Sequence, residues 1–420
     1  MTPVPTTRPT RRTVLAGALT ATGLGLAGCG TGGRSAITLY QSKPEAISYF
    51  SQLAGDFNES QSSVRVVHDV STNLSASFVR NNPPDVGCLN YNLEMARFME
   101  RGALSDLGDM EEASWIRDDV QELADQYATY EGRTSVLPYS VMAAAVIYNR
   151  QIFDEHGLEV PETWDQLIEV CETLQDADVT PFYGTFLDPW TVSQGLFDYT
   201  VGGMVDVADF FAQMHEQGGD VTPDSEISFS QTLREPIDRM VELLQYHNPD
   251  AGSRGYGDGN TAFANGAAAM YLQGPWALGE IDNVGTDIDV GTFPLPMTDD
   301  PADRRIRVNI DLSLWVPELS NDVEAGREFV HYLMQPEIQH PYNEAYLGFS
   351  TTDDAPEVTD ERIAPLQTYY DDARFYMGPS QFIPLTIPAE NYFQAIATGS
   401  DPQSILATLD DDWARLAYRQ

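Results

Sequence analysis

Basic residues are what this chain has least of. Of 420 residues, 23 are Lys or Arg against 64 Asp or Glu, a formal net charge of −41. A polyanion of this density repels phosphate backbones and excludes nucleic acid as a partner. Lysine occurs once, at Lys43. Cysteine occurs three times, at Cys29, Cys88 and Cys171, too few for a disulfide scaffold. The six histidines (68, 156, 215, 247, 331 and 340) never stand four apart or as a His-x-His pair, which argues against a zinc-hydrolase centre, and no metal is expected. The motifs GxSxG, HExxH, CxxC and GxxxxGK[ST] are absent, and no internal repeat is present. What remains is 42% hydrophobic and 21% charged, the composition of a globular chain, and its length suits two domains.

The N-terminus reads as an address. Arg8, Arg11 and Arg12 form a positive segment ahead of an apolar run, Val14 to Gly28, too short and Gly-rich to span a membrane. Thr10-Arg11-Arg12-Thr13-Val14-Leu15 resembles a twin-arginine (Tat) export signal. Leu26-Ala27-Gly28-Cys29 resembles a lipoprotein cleavage box, in which Cys29 becomes the first mature residue and carries the lipid. The alternative is a cleaved secretory signal with a chance Cys. Residues 1–28 are the expected Tat-type lipoprotein signal peptide and 29–35 a flexible tether. Gly23 to Gly28 also spell GxGxxG, but no strand precedes them, so they carry no dinucleotide site. In an oxidising compartment Cys88 and Cys171 are either bridged or two buried thiols.

Beyond the tether the pattern is α/β. Ala36 to Tyr40, Val64 to Val70 and Asp85 to Leu89 read as strands, with a helix carrying Ala46, Tyr49, Phe50, Leu53 and Phe57 on one face between the first two. Ser42-Lys43-Pro44-Glu45 has capping-box spacing at its start. This β-α-β-α-β order predicts a largely parallel sheet flanked by helices. Val141 to Tyr148 and Val308 to Val316 are further strands. Helices are expected after Thr163 as N-cap, over Asp322 to Met334, and near the C-terminus along Ile405, Leu406, Leu409, Trp413 and Leu416.

Acidic pairs such as Asp118-Asp119, Asp353-Asp354 and Asp410 to Asp412 are plentiful, but among 64 acids they read as solvated surface and not as the facing carboxylates of a glycosidase. Tyr369-Tyr370 reads as a surface pair in preference to a phenolate iron site.

The ordered landmarks resemble the large sugar-binding family 1 of extracellular solute-binding proteins of ABC importers. They are Pro83-Pro84-Asp85-Val86, Gly102 to Leu107, Leu137-Pro138-Tyr139 with Ile147 to Phe153, Gly157-Leu158 with Pro161 and Thr163 to Leu167, Phe263 to Met270 with Gly274-Pro275-Trp276, and Phe293 to Pro296. The resemblance implies a two-lobe periplasmic-binding-protein-like α/β fold, each lobe a mostly parallel sheet with helices, joined by crossover strands at a hinge. The expected lobes are 36–139 with 309–345, and 140–308 with 346–420. Asn309-Ile310-Asp311-Leu312 departs from the Gly-Gly that many members carry near the second crossover.

The same resemblance implies a non-enzymatic protein without cofactor, a monomer that captures a carbohydrate between its lobes and hands it to the permease subunits of an ABC importer. Sugar recognition needs aromatic faces and bidentate polar groups, here sought on loops at strand C-termini. The candidates are Gln41, Ser42 and Glu45 after the first strand, Asn90 and Tyr91 after the third, Tyr139 at the crossover, Trp190 and Trp276 as stacking platforms, Asp311 at the second crossover and Arg374. Ser42 and Glu45 also fit a cap, Asp311 a hinge role, and Arg374 a pair with Asp371. The alternatives are another solute, such as a polyol, glycerol phosphate or peptide, a surface-anchored glycan-degrading enzyme, or a module that signals to a sensor.

Overall fold

The structure, a computed structural model, describes residues 34–416. The signal peptide and Cys29 lie outside the described residues. Eight strands are present among them: β1 Ser35–Tyr40, β2 Val64–Asp69, β3 Val86–Leu89, β4 Leu137–Asn149, β5 Met270–Gln273, β6 Val290–Phe293, β7 Ile306–Trp315 and β8 Phe375–Met377. They join in the order β2-β1-β3-β7-β4-β5, with β6 also on β4 and β8 on β7.

The parallel expectation holds for the layer β2-β1-β3, where β1 pairs parallel with both neighbours. The strands that cross between the halves reverse the polarity. β7 runs antiparallel to β3 and to β4, and β5 and β6 run antiparallel to β4. The layer is therefore mixed, because a chain that passes to the second half and back in two neighbouring strands must return in the opposite sense.

β4 and β7 are long, 13 and 10 residues, and nearly every position is buried. Near one end Leu137 faces Leu314; near the other Ala144 faces Arg307. The register shifts around Tyr139. β3 packs so closely that a Cβ on Gly87 would lie 1.9 Å from the Trp315 ring, so only glycine fits there.

The helices follow the sequence where it supplies caps. The Thr163 hydroxyl accepts from Gln166 N at 3.3 Å and opens Trp164–Asp176; Asp322 accepts from Ala325 N at 3.1 Å and opens Val323–Met334. The capping box at Ser42 does not form. Lys43 is the N-cap of a short 3-10 turn, Pro44–Ala46, with no side-chain cap, and the Ser42 hydroxyl donates to the Tyr40 oxygen at 3.2 Å. Proline at the first position of that turn fixes its φ without any side-chain cap. Cys88 and Cys171 are both buried and unpaired. Tyr370 is buried, its hydroxyl donating to the Ser350 carbonyl at 2.9 Å, so the Tyr369-Tyr370 pair is not a shared surface patch.

In the second half, Arg307 of β7 meets Asp198 at 3.1 Å with both side chains enclosed. Asp198 also accepts from Ser380 N at 2.8 Å and from the Ser380 hydroxyl at 3.0 Å. These bonds offset the cost of burying the pair.

His247 stacks on Phe182, ring centroids 5.4 Å apart, and its Nδ1–H donates to the Leu243 carbonyl at 2.8 Å. Burial pushes its pKa down to about 4 from 6.5. Between those values the unfolded chain binds more protons here than the folded protein. Stability contributed by neutral His247 is therefore full above pH 6.5 and falls as the pH drops towards 4, by up to about 3 kcal/mol. We expect His247→Gln to flatten this part of the pH dependence of the urea midpoint; an unchanged slope between pH 6.5 and 4 would contradict it.

Candidate functional site

The C-terminal ends of β1 and β3 open on a polar hollow of about 480 Å³, lined by Tyr40, Thr72, Asn73, Ser75, Asn90 and Asn92 among others. Amides and hydroxyls dominate this wall, as expected at the strand ends of a parallel layer. Asn92 is partly committed, since its side chain accepts from Glu94 N and Met95 N and starts the helix Leu93–Glu100.

Beside the hollow stands the only lysine. Lys43 Nζ lies 2.5 Å from Asp311 Oδ1 and 3.2 Å from Glu45 Oε1. Burial alone would lower the Lys43 pKa, but Asp311 and Glu45 outweigh it and the net shift is upward. Asp311, on β7, also accepts from Asn90 Nδ2 and from the Tyr342 hydroxyl, each at 3.4 Å. One carboxylate on the crossing strand thus gathers the loop after β1, the loop after β3 and the helix Pro336–Tyr346. On that helix the Tyr346 ring stacks on Tyr342 at 4.7 Å, and its hydroxyl donates to the Glu45 carbonyl at 3.1 Å.

Gln41 is fully buried, and neither polar atom of its amide has a partner among the described residues. An orphaned amide of this kind marks a place where a water or ligand completes the bonding.

The second half presents aromatic rings. Gln273 pairs with Ala145, next to the last β4–β7 pair, Ala144 with Arg307, so Gly274-Pro275-Trp276 leaves β5 beside the crossing. The half-buried Trp276 ring folds over Gly274, where a Cβ would meet it at 2.1 Å, and its Nε1–H donates to Gln273 Oε1 at 3.2 Å. Trp190 and Tyr256 meet at 5.0 Å with a 59° tilt. Tyr256 N donates to Asp188 Oδ2 at 2.7 Å, which fixes the two loops together. Burial raises the Tyr256 pKa, and the carboxylates of Glu280 and Glu45 add to the rise.

Of the sequence candidates, Gln41, Ser42, Glu45, Asn90 and Asp311 gather at these strand ends, and Trp190 and Trp276 stand on the other side. Three do not join them. Tyr139 is fully buried among Phe50 and Tyr342, its ring centroid 6.0 and 5.6 Å from theirs, on a stretch of β4 enclosed on both faces. Tyr91 is 2% exposed and packs edge-on against Tyr127 at 5.4 Å. A ring enclosed in this way offers no face to a solute. Arg374 lies beside the start of β7, where its carbonyl accepts from Ile306 N; its guanidinium meets Asp372, not Asp371, at 3.3 Å and covers the Tyr369 ring at 4.3 Å.

Lys43, Tyr256 and Tyr346 were missed. The signal for Lys43 was its uniqueness in an acidic chain; Tyr256 and Tyr346 had none. Elsewhere, Glu111, Glu112 and His331 bring three ligand-type atoms within 4.8 Å of one another, a grouping invisible in sequence spacing. There His331 Nδ1 is already bonded to the buried Glu112 carboxylate.

The chain belongs to the bacterial extracellular solute-binding protein family, whose sequence profile matches residues 42–340. It is 25% identical to the multiple sugar-binding protein of Streptococcus mutans over 315 residues, covering 73% of this chain and 72% of that one. It is 25% identical to the maltotriose-binding protein of Pyrococcus abyssi over 278 residues, 64% of this chain and 54% of that one. Apo RafE of Streptococcus pneumoniae superposes with a TM-score of 0.78 at 19% identity, covering 91% of this chain and 98% of RafE; RafE with raffinose gives 0.73, covering 90% and 99%. The fold is accordingly the two-lobe solute-binding fold. Among the described residues no helix is long and apolar enough to cross a membrane.

Removing one partner of the Lys43–Asp311 pair strands a charge whose side chain is 4% exposed. We expect Lys43→Met to cost about 3 kcal/mol in urea unfolding, and Lys43→Met with Asp311→Leu to recover most of it. A single variant as stable as the parent would show that the pair contributes nothing.

Proposed function

We propose that this protein captures a carbohydrate between its two lobes and delivers it to the permease subunits of an ABC importer. The observation that carries the reading is the chemistry of the two walls. One offers amides and hydroxyls at the ends of β1 and β3, with the orphaned Gln41 amide, and the other offers the half-buried rings of Trp190, Tyr256 and Trp276. Hydroxyl edges and C–H faces of a sugar match these two surfaces. Carbohydrate names among the relatives and neighbours, raffinose and maltotriose included, support it.

On this reading the lobes comprise 36–139 with 309–345 and 140–308 with 346–420, and they close about β4 and β7 when a ligand touches both walls. Gln41, Glu45, Asn90, Trp190 and Trp276 would contact it, with Lys43 and Asp311 holding the loops. The protein acts as a monomer, breaks no bond and needs no cofactor. Export through the Tat-type signal and lipid on Cys29 would hold it at the outer face of the cell membrane, beside its transporter.

The test is a thermal-shift screen against raffinose, maltotriose, diacetylchitobiose and other glycans. A ligand at 100 times its dissociation constant stabilises by about 2.7 kcal/mol. We expect at least one glycan to do so, and Trp276→Ala to abolish the shift while the protein stays folded. A shift undiminished in that variant would remove Trp276 from the site, and a screen with no responding glycan would contradict the carbohydrate reading.

A further inference from the structure

The helix Pro336–Tyr346 has two working faces. Tyr342 and Tyr346 point to the Lys43 and Glu45 loop. His340 and Glu344 lie roughly opposite, since two helical positions span about 200°. With Leu347 they line a separate cavity of about 210 Å³ behind the crossing strands. An apolar cavity of about 150 Å³ already accommodates benzene, so this one has room for a small organic molecule.

Its floor is apolar and fixed. Phe349 exchanges backbone hydrogen bonds with Val141 of β4, at 3.1 and 2.7 Å, and its ring lies 4.8 Å from that of Tyr370. Leu347 adopts a left-handed conformation, φ +57°, uncommon for a residue with a Cβ, and ends the helix at the cavity wall.

Its polar groups are unevenly used. Arg117 is spent, lying 2.6 Å from Asp119 and 2.8 Å from the Tyr370 carbonyl. Among the described residues His340 Nε2 is enclosed and has no hydrogen-bond partner, and the Asp354 carboxylate is 4.0 Å away. The carboxylates of Glu344 and Glu357 stand exposed at the cavity rim and form no ion pair among the described residues. An enclosed, unpartnered imidazole nitrogen above an apolar floor can accept from a donor, and carboxylates at the rim favour a donor that carries positive charge.

We propose that this cavity is a second ligand site, for a small organic ammonium ion with an apolar body. The ammonium donates to His340 Nε2 and to the carboxylates of Glu344 and Glu357, while the body lies on Leu347, Phe349 and Ile363. The proposal is independent of what the lobes capture between them.

The probe is 2-phenylethylamine, titrated calorimetrically into the full chain, with 3-phenylpropionate as its anionic counterpart. We expect saturable one-to-one binding of the amine and none of the anion. Ala355→Trp, which fills the cavity without changing the charge, should abolish amine binding and leave the glycan response intact. Glu344→Gln with Glu357→Gln should weaken the amine at least tenfold, and Trp276→Ala should leave it unchanged. No saturable amine binding, equal binding of the anion, or amine binding undiminished in either cavity variant would overturn the site. If Ala355→Trp fails to fold, the Glu344/Glu357 variant decides alone.

Discussion

Two strands, β4 and β7, hold both walls of the groove in register. They pair antiparallel from Leu137 and Leu314 in one half to Ala144 and Arg307 in the other, and each half is built on the ends they extend. β3 hangs on the far end of β7, and β5 and β6 on the far end of β4. This ladder is the longest backbone link between the polar strand ends and the aromatic loops among the described residues; a shorter one joins Ile116 to Thr352. Its burial on both faces explains the unbroken apolar run of β4, which a sheet with one face in water would not tolerate.

The two charged side chains that point off β7 divide the work. Arg307 is locked to Asp198 inside the second half and ties the strand to its core. Asp311, four residues on, turns to the first half and collects Lys43, Asn90 and Tyr342. A solute that displaces or reorients any of these contacts acts directly on a strand that belongs to both halves. In an acidic chain with a single lysine, placing that lysine against Asp311 and Glu45 offsets negative charge where a neutral, hydroxyl-rich ligand is proposed to enter.

Much of the fold was legible. β1, β2 and β3 were set by short apolar runs between turn residues, and the helix at Trp164 by its Thr163 cap. The parallel layer followed from their order. The reversal of polarity at β4 and β7 was not readable, because strand direction is decided by partners far along the chain. The site was legible in part. Residue types at strand ends placed the candidates Gln41, Asn90 and Trp276 just beyond β1, β3 and β5, while Trp190 was chosen after Asp188-Pro189 and follows no strand. Tyr139 lies in the core because β4 is enclosed on both faces there, so neither direction of its ring meets the groove. Tyr91 failed because a ring directly after a buried strand more readily continues the core. Ser42 looked like a cap, yet Pro44 starts its turn without one.

The central claim is that two halves close on a carbohydrate about the β4–β7 crossing without altering it. Small-angle X-ray scattering on the full chain, with and without whichever of raffinose, maltotriose or diacetylchitobiose stabilises it, tests this most directly when the recovered sugar is weighed afterwards. The account predicts a smaller radius of gyration at saturation and a sugar of unchanged mass. An unchanged radius with bound sugar, or a cleaved sugar, would contradict it.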